Sequence, residues 1–133
     1  LLSRAEPGIV IPDIEVRGEL STWKKTRTVS RRLSSLKGER NIIIFYTEGC
    51  EVCAAEKKAA SAILSSADDR SLTSKERRIA RRTRVMTVNI DRMMNEDPQL
   101  ASRLMDAFDL SSLPFIVITD RKGVIQHRYA SLS

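Results

Sequence analysis

The stretch "NIIIFYTEGCEVCAAEKK", residues 41–58, decides the fold and holds both cysteines of the chain. It opens with a continuous apolar run, the mark of a strand covered on both faces, which is usual in an α/β sheet. From Cys50 to about Ser66 the pattern turns helical. Val52, Ala55, Ala59, Ala62 and Ile63 fall near one face, and alanine is the best helix former. The cysteines therefore sit where a strand turns into a helix. The first turn of a helix has unpaired N–H groups and the positive end of the dipole, and both favour a thiolate. Cys53 follows one turn later, close enough to close a small ring with Cys50. Cys50 can then attack a disulfide, and Cys53 can resolve the mixed disulfide that results.

The same spacing could serve half a metal site or belong to two inert thiols. A structural zinc needs about four ligands. The one remaining soft donor is His127, far along the chain, so no metal site is expected. Placement at a strand-to-helix junction favours redox chemistry over inert burial.

Outward from this stretch the chain alternates strands and helices. Upstream, "GIVIPDIEV" (8–16) is rich in β-formers, with Pro12 confining it to edge or irregular pairing. "RGEL" reads as a turn and "STWKKTRTV" as a returning strand, on which Trp23 packs the hairpin against the core. "SRRLSSLKG" (30–38) predicts a short helix capped by Ser30 and stopped at Gly38. Downstream, Thr73 and Glu76 have capping-box spacing and predict a basic helix. "RVMTVNID" (84–91) returns to strand. "DPQLASRLMDAF" (97–108) predicts a helix capped by Asp97, with Pro98 first and an apolar stripe of Leu100, Leu104, Met105 and Phe108. "LPFIVITD" (113–120) and "VIQHRYA" (124–130) form a hairpin, with His127 at the surface. The four methionines lie mostly near helix 97–108 and the strand before it, where core packing is their expected role.

The chain has 133 residues, of which 41% are hydrophobic and 30% charged. These values suit one folded domain with a sizeable core. No apolar run approaches the roughly 18 residues of a membrane helix, and the opening "LLSRAEPG" has no signal-peptide pattern. A membrane anchor upstream of it would not be visible. The net charge is +6 and the pI about 9.7, which favours acidic partners.

"SSLKGERNIIIFYTEGCEVC" followed by "SSLPFIVITDRKGVIQHRY" resembles the thioredoxin superfamily, and within it the TlpA/ResA-like thiol–disulfide oxidoreductases of bacterial envelopes. The resemblance covers roughly residues 8 to 130 and includes the Leu-Lys-Gly turn at 36–38. It implies a three-layer α/β/α fold with an N-terminal β extension. It also implies a single domain over 1–133: extension 1–38, core 39–133, and a basic helical insertion at about 68–83. By the same resemblance Cys50 is the nucleophile and Cys53 the resolving thiol. Pro114 is then a cis-proline, and Leu113 offers main-chain hydrogen bonds to substrate. Gly49, Glu51 and Val52 complete the surface around the sulfurs. Partners are protein thiols or disulfides and an unidentified redox partner, and no cofactor is needed. The location implied is the cell envelope, with the cytoplasm as the alternative.

The sequence also departs from that family. Gly49 stands where Trp usually precedes the first cysteine. Ile44 replaces the buried acid of thioredoxin, and Lys58 replaces a helix-kinking proline. Glu51-Val52 contains no proline or glycine. The closing helix is either dropped or belongs to residues beyond Ser133. Near the motif, Glu48, Glu51 and Glu56 oppose thiolate formation, while Lys57, Lys58 and the helix dipole favour it.

Three other functions compete with disulfide exchange. Thr47, three residues before Cys50, matches a peroxiredoxin motif, but Ile43 occupies that family's proline position. A redox-inactive binding module would keep the fold with idle thiols. Lys75, Arg77, Arg78, Arg81, Arg82 and Arg84 could meet nucleic acid, yet no aromatics interleave with them. That run reads more simply as a solvated helix anchored by Leu72 and Ile79, so no specific nucleic acid is expected.

Overall fold

A computed structural model describes residues 5–130. Residues 1–4 and 131–133, the ends of the expected 1–133 span, lie outside the described residues. The readings of the chain's opening and of a closing helix fall there too. The described chain is a six-stranded sheet with helices on both faces, as the sequence predicts for a three-layer α/β/α arrangement. The strands are β1 (Glu15–Ser21), β2 (Thr26–Arg32), β3 (Arg40–Tyr46), β4 (Thr83–Asn89), β5 (Phe115–Thr119) and β6 (Ile125–Ala130). Their order across the sheet is β2-β1-β4-β3-β5-β6. Only β3 and β4 run parallel, with Ile42 beside Val85 and Phe45 beside Val88. Helix α1 (Glu51–Ser65) follows β3. After it come α2 (Ser74–Arg81), α3 (Ile90–Glu96) and α4 (Pro98–Phe108).

Alternation along the strands divides the core in two. Ile43, Phe45, Met86, Val88, Phe115 and Val117 face α3 and α4, where Met93, Leu100, Leu104 and Phe108 cover them. Ile42, Ile44, Val85 and Ile116 face the other way and meet Ala60 and Leu64 of α1. Continuous apolar strands are what such two-sided burial requires.

Several local expectations fail for identifiable reasons. The first strand is not 8–16 but β1, and "RGEL" continues it instead of turning. Gly18 there faces the main chain of β4 so closely that a β-carbon would overlap the Thr87 carbonyl oxygen. Its small size serves close strand packing, not a turn. The turn is Thr22–Lys25, closed by the Thr22 N–H donating to the Lys25 carbonyl at 2.8 Å. Residues 33–36 form a 3-10 turn without a side-chain cap, because Ser30 belongs to β2. Trp23 is half-buried and meets Arg81 of α2, 5.1 Å from the ring centroid, so the basic helix and not the core receives it. The capping box of Thr73 and Glu76 forms as read, while Thr83, expected in the insertion, opens β4. Asp97 caps α4 and Pro98 starts it.

The largest correction concerns α1. Its buried face is Cys53, Ala60 and Leu64. The apolar stripe read from sequence, with Val52 and Ile63, points outward. Cys50 caps the helix and Cys53 is buried, and positions 53, 60 and 64 share the inner face by helical periodicity. Leu64→Ala is expected to cost about 2–4 kcal/mol, and Ile63→Ala under about 0.5 kcal/mol, in urea unfolding. A larger loss for Ile63→Ala than for Leu64→Ala would place the helix in the rotation read from sequence.

Asp13 ties the extension together. It accepts from the Ser34 N–H at 3.2 Å and from Arg32 Nε at 3.1 Å. These bonds, that of Ser34 first, hold its carboxyl below the ordinary value. A lowered folded-state value stabilises above the unfolded pKa and is lost as pH falls. The stability gap between wild type and Asp13→Asn is therefore expected at pH 7 and should close as pH drops below about 4. Urea midpoints at both pH values check this, and a gap that persists in acid refutes it.

Candidate active site

β3 carries the chain to one end of the sheet, and the turn Thr47–Gly49 delivers it to α1. Gly49 has φ +67°, a left-handed conformation that a side chain such as Trp adopts only with strain. Its presence where the resembled family has Trp thus matches the backbone of this turn. Cys50 is the N-cap of α1. Its Sγ accepts a hydrogen bond from the Cys53 N–H at 3.1 Å. Cys50 and Cys53 are joined in a disulfide, with Cα atoms 5.2 Å apart.

The two sulfurs are not equivalent. Cys50 is half-buried, whereas Cys53 is 1% exposed. After reduction, Cys50 is the sulfur a partner can reach. It is also the sulfur aimed at by a helix N–H and by the positive end of the dipole. Lys57, one turn beyond Cys53 on α1, lies with its ammonium 4.0 Å from the centroid of the Tyr46 ring. Both residues line the shallow cleft that holds the cysteines.

A second group steadies the turn before Cys50. Asn89, at the end of β4, caps α3 by accepting from the Arg92 N–H at 3.0 Å, and donates to Glu48 Oε1 at 2.6 Å. Asp91 Oδ2 accepts from the Glu48 N–H at 3.2 Å. Sequence reading missed α3 and both latching residues. The signal was there: Asn at a strand end, followed by an acid two residues later, is a helix N-terminus pattern.

Of the residues expected at the site, Gly49, Cys50, Glu51 and Cys53 line one cleft. Val52 does not, since it lies on the outer face of α1. Leu113 and Pro114 also lie outside its lining, on the neighbouring loop at the same end of the sheet. The pairing of Phe45 with Phe115 brings that loop beside the end of β3. The Leu113–Pro114 bond is cis, Pro114 is buried, and Leu113 is half-buried. Among the described residues, no group of three or more His, Cys, Asp or Glu is placed to hold a metal ion.

A scan against protein-family models finds no match, and a search of curated proteins finds none. Solved structures do match. A putative thiol:disulfide interchange protein DsbE from Chlorobium tepidum superposes with a TM-score of 0.62 at 13% identity, covering 96% of this chain and 86% of that one. A putative thiol-disulfide oxidoreductase from Bacteroides vulgatus gives 0.56 at 16% identity, with 97% and 89% covered. A 2-Cys peroxiredoxin from Plasmodium vivax gives 0.52 at 15% identity, with 94% and 72% covered. At these identities the likeness speaks for architecture, and the architecture common to this sheet, its helices and its neighbours is the thioredoxin-like fold.

Proposed function

We propose that the chain is a thiol–disulfide oxidoreductase that exchanges its Cys50–Cys53 pair with protein substrates. The observation carrying this reading is the asymmetric disulfide at a helix start, with Cys50 reachable and Cys53 buried. In the reducing direction the Cys50 thiolate attacks a substrate disulfide, and one substrate sulfur leaves as a thiolate. Cys53 then attacks Cys50 Sγ and the second substrate sulfur departs. Two electrons pass to the substrate, and the pair ends as the disulfide. The reverse sequence oxidises a substrate dithiol. A second redox partner restores the starting state, and no organic cofactor is required.

In this reading the main chain of Leu113, beside cis Pro114, receives an extended segment of substrate. Neither its N–H nor its C=O has a hydrogen-bond partner among the described residues. Gly49 and Glu51, which share the cleft with the sulfurs, form the contact surface around them, and exposed Val52 stays outside that cleft. The unit is one domain with residues 1–38 as its extension. A bacterial cell-envelope location accompanies the resemblance of this extension. No described helix is long and apolar enough to cross a membrane.

The test is a redox titration joined to insulin reduction by dithiothreitol. A two-electron transition and faster insulin precipitation than with dithiothreitol alone are expected. A pair that does not titrate, or no acceleration, refutes the proposal. Stoichiometric sulfenic acid at Cys50 with peroxide, without insulin reduction, would turn the reading to a peroxidase.

A further inference from the structure

The basic run from Lys75 to Arg84 divides in the structure. Arg77 donates to the Leu72 carbonyl at 2.5 Å, Arg81 lies on Trp23, and half-buried Arg84 donates to the Leu36 carbonyl. These three hold the fold together. Arg78 and Arg82 do not: both are exposed, and neither has an ion-pair partner among the described residues. They line a groove of about 730 Å³ together with Arg40 from β3 and Arg121 and Lys122 from the β5–β6 turn.

One carboxylate, Asp120, shares that lining. It is already engaged, accepting from the N–H groups of Lys122 at 2.8 Å and Val124 at 3.0 Å, and from Gln126 at 3.1 Å. Five cations therefore line the groove against that one carboxylate, and none of the five is ion-paired among the described residues. Between them lie apolar groups, Ile118 half-buried and Ile79 45% exposed. Ile79, expected to anchor α2, is free because Ala80 takes the buried position.

We propose that this groove docks an acidic segment of a partner protein, with carboxylates on the arginines and apolar side chains over Ile79 and Ile118. Guanidinium forks match carboxylates in paired hydrogen bonds. Nucleic acid fits less well, since no Phe, Tyr or Trp lines the groove for bases to stack on. Arg40 opens β3 and Tyr46 ends it, so the groove lies about 20 Å of strand away from the disulfide end. A partner held there leaves Cys50 accessible.

The test uses the whole chain and a fluorescent peptide of alternating Glu and Leu, read by anisotropy. Saturable binding that weakens with salt is expected. Arg78→Glu with Arg121→Glu should weaken it roughly tenfold or more, while Arg27→Glu on β2 leaves it unchanged. Insulin reduction should not change in either variant. Should charge reversal unfold the chain, Arg78→Gln with Arg121→Gln must show the same loss. The proposal falls if the peptide does not bind, if a Gln-for-Glu peptide binds equally, or if Arg27→Glu weakens binding as much. It also falls if a single-stranded oligonucleotide displaces the peptide at lower concentration than unlabelled peptide does.

Discussion

Cys50→Ser is expected to reduce disulfide exchange to the uncatalysed background, a loss of about a thousandfold or more. Cys53→Ser is expected to capture substrate and fail to release it. The difference follows from burial. Cys50 is the half-exposed sulfur that caps α1, and Cys53 is almost closed to solvent. A substrate disulfide can meet the first and not the second. Without Cys50 the remaining thiol is inaccessible and lies inside the helix, beyond the N-cap position that favours the thiolate. Without Cys53 the first attack still proceeds, but no internal thiol displaces the substrate. A mixed disulfide should accumulate, visible as a band on a non-reducing gel and abolished by dithiothreitol. After reduction of the wild type, brief iodoacetamide treatment should label Cys50 ahead of Cys53. Trapping by Cys50→Ser instead would reverse the two roles.

The strand, turn and helix around these cysteines could be read from sequence because each has its own chemical signature. An apolar run marks two-sided burial, and the CxxC pair marks the helix start. Asp97 and Pro98 announce α4 in the same way, through the groups a helix N-terminus leaves unpaired. The failures occur where tertiary contact decides. Gly18 looks like a turn residue until Thr87 is seen against it. The Ala-rich stripe of α1 suggests a buried face, but small residues do not define one. The rotation is set by Ala60 and Leu64 meeting Ile42, Ile44, Val85 and Ile116 of the sheet, a constraint no local pattern contains. The latch from Asn89 and Asp91 to Glu48 joins residues 41 and 43 positions apart, beyond the reach of periodicity. The basic run shows the same limit. Six cations read alike in sequence, yet the fold ties three of them into its own structure and leaves Arg78 and Arg82 to line a groove.

Phe108→Ala is expected to destabilise the protein by about 3–5 kcal/mol, at the top of the range for a single core truncation. Phe108 closes α4 and is 0% exposed. Its ring centroid is 5.0 Å from that of Phe45, with the planes tilted by 49°. Such a pair adds about 0.5–1.5 kcal/mol beyond burial alone. The site cannot readily collapse, because both sides are held. Phe45 is fixed in β3 between β4 and β5, and the Phe108 carbonyl accepts from Arg128 of β6 at 2.7 Å. A cavity would remain, and cavity cost adds to the lost transfer energy. A domain of this size has roughly 5–15 kcal/mol in total, so a fall in Tm on the order of 10–20 °C should follow. Phe45 lies one residue before Tyr46, whose ring meets Lys57 in the cleft. Slackening of β3 should therefore reach the turn that presents Cys50. Folded Phe108→Ala, assayed well below its Tm, is expected to retain the Cys50–Cys53 pair and to show slower exchange. Urea unfolding measures the first effect and insulin reduction at low temperature the second. A loss below about 1 kcal/mol, the range of conservative core changes, would show that the α4 side of the sheet repacks freely.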